Sequence, residues 1–210
     1  MFNCGQTLLE AVLATNPWEL LAVVAAIAYL LLAMRQHIAC WGFALLSTVI
    51  YTVLYWDVSL YMESLLNAYY IAMAIYGWWA WRQKKPNNSS NISSWGFKQH
   101  LTALLCILSI SYISGYGLAN NTDAQHPYLD SFTTWAAVLT TYMVAKKILE
   151  NWLYWIVING IGIYLNIDRC LLLTSVLLMS YQVIAIFGYI SWRKEWNGYN
   201  ANNNAKASTG

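Results

Sequence analysis

The sequence predicts an all-α integral membrane protein in which seven transmembrane helices form two parallel three-helix repeats joined by a linker helix. Three observations lead there. Of 210 residues, 59% are apolar and only 10% are charged, with a mean hydropathy of +0.43; soluble domains carry about 25% charged residues. Seven apolar runs follow one another along the chain, each long enough for the roughly 17–25 helical residues that cross a bilayer. Finally, residues 18–82 laid on 129–193, at a constant offset of 111 without gaps, give fifteen identities in 65 positions.

The apolar runs cover 18–34, 38–56, 59–82, 100–118, 130–148, 150–167 and 170–192. The first begins at Thr15-Asn16-Pro17-Trp18, a capping residue followed by proline in the first helical turn. The start of the chain lacks the basic stretch and apolar run of a cleavable signal peptide, so the first span is expected to do the targeting. A polar run over 86–91 separates the third span from the fourth, and Asn120-Asn121-Thr122-Asp123 is expected as a shorter loop. The Asn-rich tail after Trp196 reads as disordered. The chain thus divides into an extracytoplasmic segment 1–17, repeat one 18–82, a linker with the fourth helix 83–128, repeat two 129–193, and a cytoplasmic tail 194–210.

Shared Leu and Ala mean little between two apolar segments. The informative pairs are Trp41/Trp152, Asp57/Asp168, Tyr70/Tyr181, Gly77/Gly188 and Trp81-Arg82/Trp192-Arg193, with Glu19/Asp130 and Arg35/Lys146 matched in charge. An odd linker span keeps both units in one orientation, and transporters built from parallel repeats hold substrate between them near the midplane. With seven crossings, Arg35, Arg82, Lys84, Lys85, Lys98, Lys146, Lys147, Arg193, Lys194 and Lys206 fall on one side and Arg169 alone on the other, ten of the eleven basic residues. That bias makes the first side cytoplasmic, with the N-terminus outside and the C-terminus inside a bacterial inner membrane. Trp78, Trp79, Trp81, Trp192 and Trp196 read as an interfacial aromatic belt, and Asp57 and Asp168 as helix caps.

Polar side chains at bilayer depth are costly without a partner or a water-filled cavity, which makes them functional candidates. Asn151, Trp155 and Asn159 are spaced by four along one helix face. At 1.5 Å per residue, Asn159 lies roughly 14 Å from the cytoplasmic end, near the centre of the hydrocarbon core. The same arithmetic brings Asn67, Gln182, Ser47 and Thr48 to about that depth, with Tyr70 and Tyr181 within a turn. Amides and flat aromatic walls at one level suit a planar heterocycle bearing hydroxyls, and aromatic faces attract organic cations. Glu63, one turn inside the outer face, could draw such a cation to the entrance or simply reach to water. Packing between helices is the alternative role for each amide.

Cys4, Cys40, Cys106 and Cys170 form no CxxC, and His37, His100 and His126 have no metal-ligand spacing, so no metal or cofactor is expected. Phosphate-cradling and hydrolase motifs are missing, which argues against ATP-driven pumping and against an enzyme. The net charge of +2 is too dispersed for nucleic acid. Facilitated diffusion of a small molecule is the simplest mechanism left. The rival from another class is a non-transporting membrane interaction protein. The sequence is compatible with a homo-oligomer.

Glu150-Asn151-Trp152-Leu153-Tyr154-Trp155-Ile156-Val157-Ile158-Asn159 and Tyr76-Gly77-Trp78-Trp79-Ala80-Trp81 resemble the Pnu family of bacterial vitamin transporters, over about 18–193. That resemblance implies a three-plus-one-plus-three fold similar to sugar transporters of the SWEET type. It also implies facilitated diffusion with a cytosolic kinase trapping the substrate, and ligand contacts at Asn151, Trp155 and Asn159. The family's branches carry nicotinamide riboside, thiamine, riboflavin or deoxynucleosides. Nicotinamide riboside carriers tend to have Gln where this chain has Asn67; the shorter amide leaves more room and keeps thiamine open as substrate.

Overall fold

The computed structural model describes residues 15–57, 61–83, 92–122, 124–169 and 171–208. The polar run over 86–91, Cys4 and Cys170 lie outside them. Seven helices follow in order: α1 (Pro17–Met34), α2 (Cys40–Asp57), α3 (Tyr61–Arg82), α4 (Phe97–Asn121), α5 (Pro127–Ala145), α6 (Asn151–Asp168) and α7 (Leu172–Ser208). The start of α1 is as read from sequence: Asn16 Oδ1 accepts from Trp18 N–H at 2.9 Å, with Pro17 in the first turn. By length and composition α1, α4 and the span 173–201 of α7 can cross a membrane. The other four run 18 to 22 residues, enough for a core about 30 Å thick. Their hydropathy is lowered by the polar and aromatic side chains described below.

Contacts follow a simple scheme. α2 packs on α1 and α3, α6 packs on α5 and α7, and the two groups meet where α1 touches α7 and α3 touches α5. α4 lies against α5. Side-chain bonds to backbone join the helices: Ser47 Oγ–H donates to Ala22 O, Ser64 Oγ–H to Thr52 O, and Tyr69 O–H to Val138 O.

α1 and α5 end alike. Gln36 and Lys147, 111 residues apart, both have φ of 53°, and the next N–H groups, of His37 and Ile148, reach back to Leu32 O and Met143 O. This is the helix stop usually made by glycine, here with a left-handed residue that costs about 1–2 kcal/mol. It closes α5 three residues short of the apolar run, at Ala145.

The packed centre at the basic end is aromatic. Trp41 lies on Gly77 and Trp152 on Gly188; a Cβ at either glycine would come within 2.3 Å and 2.7 Å of the indole. Trp81 meets Trp41 edge-on at 5.4 Å and 84°, and Trp192 meets Trp152 at 5.5 Å and 90°. Trp81 and Trp192 are therefore not surface belt residues: Trp192 is wholly buried and Trp81 half-buried. Position at the end of an apolar run gives depth but not direction, and both point inward. Trp78 and Trp79 do face outward.

Three other expectations change. The tail beyond Trp196 continues α7 as helix through Ser208. α4 runs on through Asn120 and Asn121, whose amides donate to carbonyls four residues back, so the loop there is shorter. Asp57 and Asp168 end their helices instead of capping the next, and Asp168 takes a bond from His126 at 2.9 Å.

Candidate substrate site

Between the two three-helix groups lies a cavity of about 370 Å³. Small-molecule sites occupy roughly 300–1,000 Å³. Its wall takes Tyr29 from α1; Trp41, Ala44, Ser47 and Thr48 from α2; and Asn67 and Tyr70 from α3. Opposite stand Thr133 and Thr141 from α5, Trp152, Trp155 and Asn159 from α6, and Tyr181 from α7. Among the described residues, no Asp, Glu, Lys, Arg or His lines it.

Hydrogen-bond bookkeeping separates these groups. Ser47 is committed to Ala22 O, and Thr48 Oγ1–H to Ala44 O at 2.8 Å and Leu45 O at 3.2 Å. Asn67 donates to Glu63 O at 2.9 Å, which leaves its side-chain oxygen as an acceptor. The Asn159 amide, 5% exposed, the Trp155 indole N–H and the Tyr70 and Tyr181 hydroxyls have no hydrogen-bond partner among the described residues. Unlike the fully buried indole N–H groups of Trp41 and Trp152, their polar atoms open to the cavity and lack only a partner within it. These wall groups are therefore set to receive one from a bound molecule.

Of the candidates named from sequence, Ser47, Asn67, Tyr70, Trp155, Asn159 and Tyr181 lie in this wall and Asn151, Gln182 and Glu63 do not. Asn151 is fully buried just beyond the floor, its Nδ2–H donating to Ile148 O at 2.6 Å and its Oδ1 unmatched. Gln182 follows Tyr181 by one residue, about 100° around the helix, and its buried Oε1 has no partner among the described residues. Glu63 is exposed at the end opposite the basic one. Tyr29, Trp41 and Trp152 were not among the candidates. The Trp41/Trp152 identity was the signal that could have found two of them.

The end opposite the basic one is uneven in charge. Near α5 and α6, Asp130 pairs with Arg169 at 2.6 Å and Asp168 with His126 at 2.9 Å. Glu19, Asp57 and Glu63 have no ion-pair partner among the described residues.

Comparison with known proteins adds the family. A profile described as nicotinamide mononucleotide transporter matches residues 16–194. The chain is similar to the nicotinamide riboside transporter PnuC of Escherichia coli (strain K12), 22% identical over 173 residues that span 69% of this chain and 72% of that protein. It is also similar to the PnuC of Neisseria mucosa, 25% identical over 195 residues, 85% of this chain and 74% of that one. The crystal structure of the vitamin B3 transporter PnuC matches with a TM-score of 0.72 at 20% identity, over 90% of this chain and 87% of the other.

Proposed function

From the premise that the chain belongs to the nicotinamide mononucleotide transporter family, we propose that it carries nicotinamide riboside by facilitated diffusion across a bacterial inner membrane. The observation that carries this is a cavity walled by aromatic rings, with no charged side chain among the described residues that line it and with amide, indole and hydroxyl groups facing it unmatched. The nicotinamide ring of the riboside is cationic and flat, which suits the Trp155 face, and desolvation strengthens that attraction. Asn159 and Asn67 supply partners for hydroxyl and carboxamide groups. The family's label names the phosphorylated mononucleotide, but a phosphate in this wall would lose its hydration with no Lys or Arg to meet it. The riboside is therefore the better occupant.

The matched contacts at offset 111 support a three-plus-one-plus-three arrangement: repeat one over 18–82, repeat two over 129–193, and α4 as linker span. Seven spans then put the basic end in the cytoplasm, with the N-terminus outside. A cytosolic kinase that adds a phosphate would trap what the carrier only equilibrates. No catalytic role is assigned to the chain.

Uptake into protein-containing liposomes tests this directly, with labelled nicotinamide riboside, its mononucleotide and thiamine offered in turn. The riboside should enter to the external concentration at zero membrane potential, and enclosed kinase with ATP should drive label above it. Preference for thiamine or for the mononucleotide would overturn the substrate assignment.

A further inference from the structure

Four tryptophans close the cavity at the basic end. Trp41 and Trp152 are its floor. Trp81 and Trp192, outside the wall, each reach across the seam between the two helix groups. Trp81 Nε1–H donates to Ala145 O at 3.1 Å, and Trp192 Nε1–H donates to Met34 O at 3.0 Å. Donors and acceptors correspond at the same offset of 111. The acceptors are the last residues of α5 and α1, whose carbonyls a helix end leaves without an intrahelical partner. Beside them Lys147 Nζ–H donates to Gln36 Oε1 at 3.2 Å across the same seam.

We propose that Trp81 and Trp192 are positioning residues of a gate at the basic end, which opens when their cross-seam bonds break, and that it opens first at Trp192–Met34. The turn that follows Ala145 is strapped. Ser93 N–H donates to Lys147 O, Leu149 N–H to Ser93 O, and Glu150 accepts from Trp95 N–H and Ser94 Oγ–H. The Trp81 ring also lies under Lys147 Nζ at 4.4 Å. The turn after Met34 has no such backbone strap among the described residues; side-chain bonds from half-buried Gln36 to Glu195 and Lys147 hold it. Two backbone bonds and a carboxylate fix one side of the seam more firmly than two side-chain contacts, the one to Glu195 exposed, fix the other.

The floor pulls the other way. The indole N–H groups of Trp41 and Trp152 are buried without a partner among the described residues. Closure thus leaves two donors unmatched, and a movement that wets or re-pairs them recovers those bonds. The same four rings that shut the cavity hold a reason for it to open.

This gate rests on the transporter reading for its purpose, so one arm of the test needs no substrate. In a chain whose native cysteines are replaced, Thr141→Cys places a thiol in the cavity wall. Its modification by a membrane-impermeant maleimide applied from the basic side reports opening. Trp192→Phe should speed that reaction about 5- to 10-fold and Trp81→Phe by no more than about twofold, with nicotinamide riboside affinity unchanged within about threefold. In a second arm, Gln36→Cys with Lys147→Cys, bridged by a short cleavable reagent, should lose uptake at least about tenfold while keeping binding, and regain uptake on cleavage. If a Phe variant fails to fold, this arm decides. Unchanged Thr141→Cys labelling in Trp192→Phe, equal effects of both Phe variants, or full uptake through the bridged chain would overturn the proposal. Gated labelling in a protein that moves none of the vitamins would instead keep the gate and sink the transport reading.

Discussion

In the first three helices Trp41 rests on Gly77 and meets Trp81; in the last three Trp152 rests on Gly188 and meets Trp192. Tyr70 and Tyr181 face the cavity from the two sides. The lining between these fixed points differs. Ala44 stands where the other half has Trp155, Thr48 where it has Asn159, and Asn67 where it has Leu178. A cavity with two equal walls would offer the same groups to both ends of its ligand. Nicotinamide riboside has a cationic ring at one end and a sugar at the other, so equal walls would serve neither well. Identity is kept where rings pack and at the Tyr70/Tyr181 pair, while three other lining positions have diverged.

The strongest way to break that contrast is to remove the diverged residues and their counterparts separately. Asn159→Leu and Trp155→Ala should each weaken nicotinamide riboside binding roughly 5- to 150-fold, the equivalent of about 1–3 kcal/mol. Thr48→Val should cost less than about threefold, because the Thr48 hydroxyl already serves Ala44 O and Leu45 O. Titration calorimetry on purified protein measures all three. Equal losses on both sides would mean the ligand reads the cavity symmetrically.

The shared framework can be tested on the two glycines. Gly77→Ala and Gly188→Ala each force a methyl into a ring that is itself held edge-on by a second tryptophan, at a typical overpacking cost of about 1–3 kcal/mol. The closer approach at Gly77, 2.3 Å against 2.7 Å, makes it the more damaging of the two. Thermal unfolding in detergent should fall for both. A wild-type melting curve for Gly77→Ala would show that the indole there yields easily.

These results also bear on what the chain discloses before it is folded. Apolar runs located the helices, and the offset of 111 paired Trp41 with Trp152 and Gly77 with Gly188, since packing identities survive where lipid-facing residues drift. Depth arithmetic brought Asn67, Trp155 and Asn159 to one level, and all three line the cavity. Depth fails on direction. Asn151 and Asn159 are eight residues apart, which turns them about 80° from each other, and Asn151 ends up behind the floor. Trp81 and Trp192 sit at the ends of their apolar runs, where tryptophan is usually interfacial. Only the fold reveals carbonyls across the seam that draw their N–H groups inward.

A smaller difference separates the halves at the end away from the gate. Asp130 and Arg169 form a part-exposed pair, whereas Glu19, at the matching position of the first half, has no such partner among the described residues. Asp130→Asn should therefore lower stability by up to about 1 kcal/mol, and Glu19→Gln by nothing measurable. Raising salt to 0.5 M should shrink the first effect, because exposed pairs are screened. A larger loss for Glu19→Gln would point to a partner that only the bilayer-embedded protein provides.

The least change is expected from pH, and it tests both halves together. Proton-coupled carriers need a titrating group that the two sides of the membrane reach in turn. Among the described residues, neither wall of this cavity has one: they include no Asp, Glu, His, Lys or Arg, and tyrosine ordinarily titrates near 10. His100 bonds to Tyr154 and His126 to Asp168, both away from the wall. Uptake at zero potential should thus vary by less than about twofold between pH 6 and 8, and a pH gradient alone should not concentrate the substrate. Potential must be clamped, since a cationic substrate gains about 2.3 kcal/mol per 100 mV regardless of coupling. Accumulation of unmodified substrate under a pH gradient at zero potential would place a proton site outside the wall. Glu63, whose backbone carbonyl already holds Asn67, is where Glu63→Gln should then abolish it.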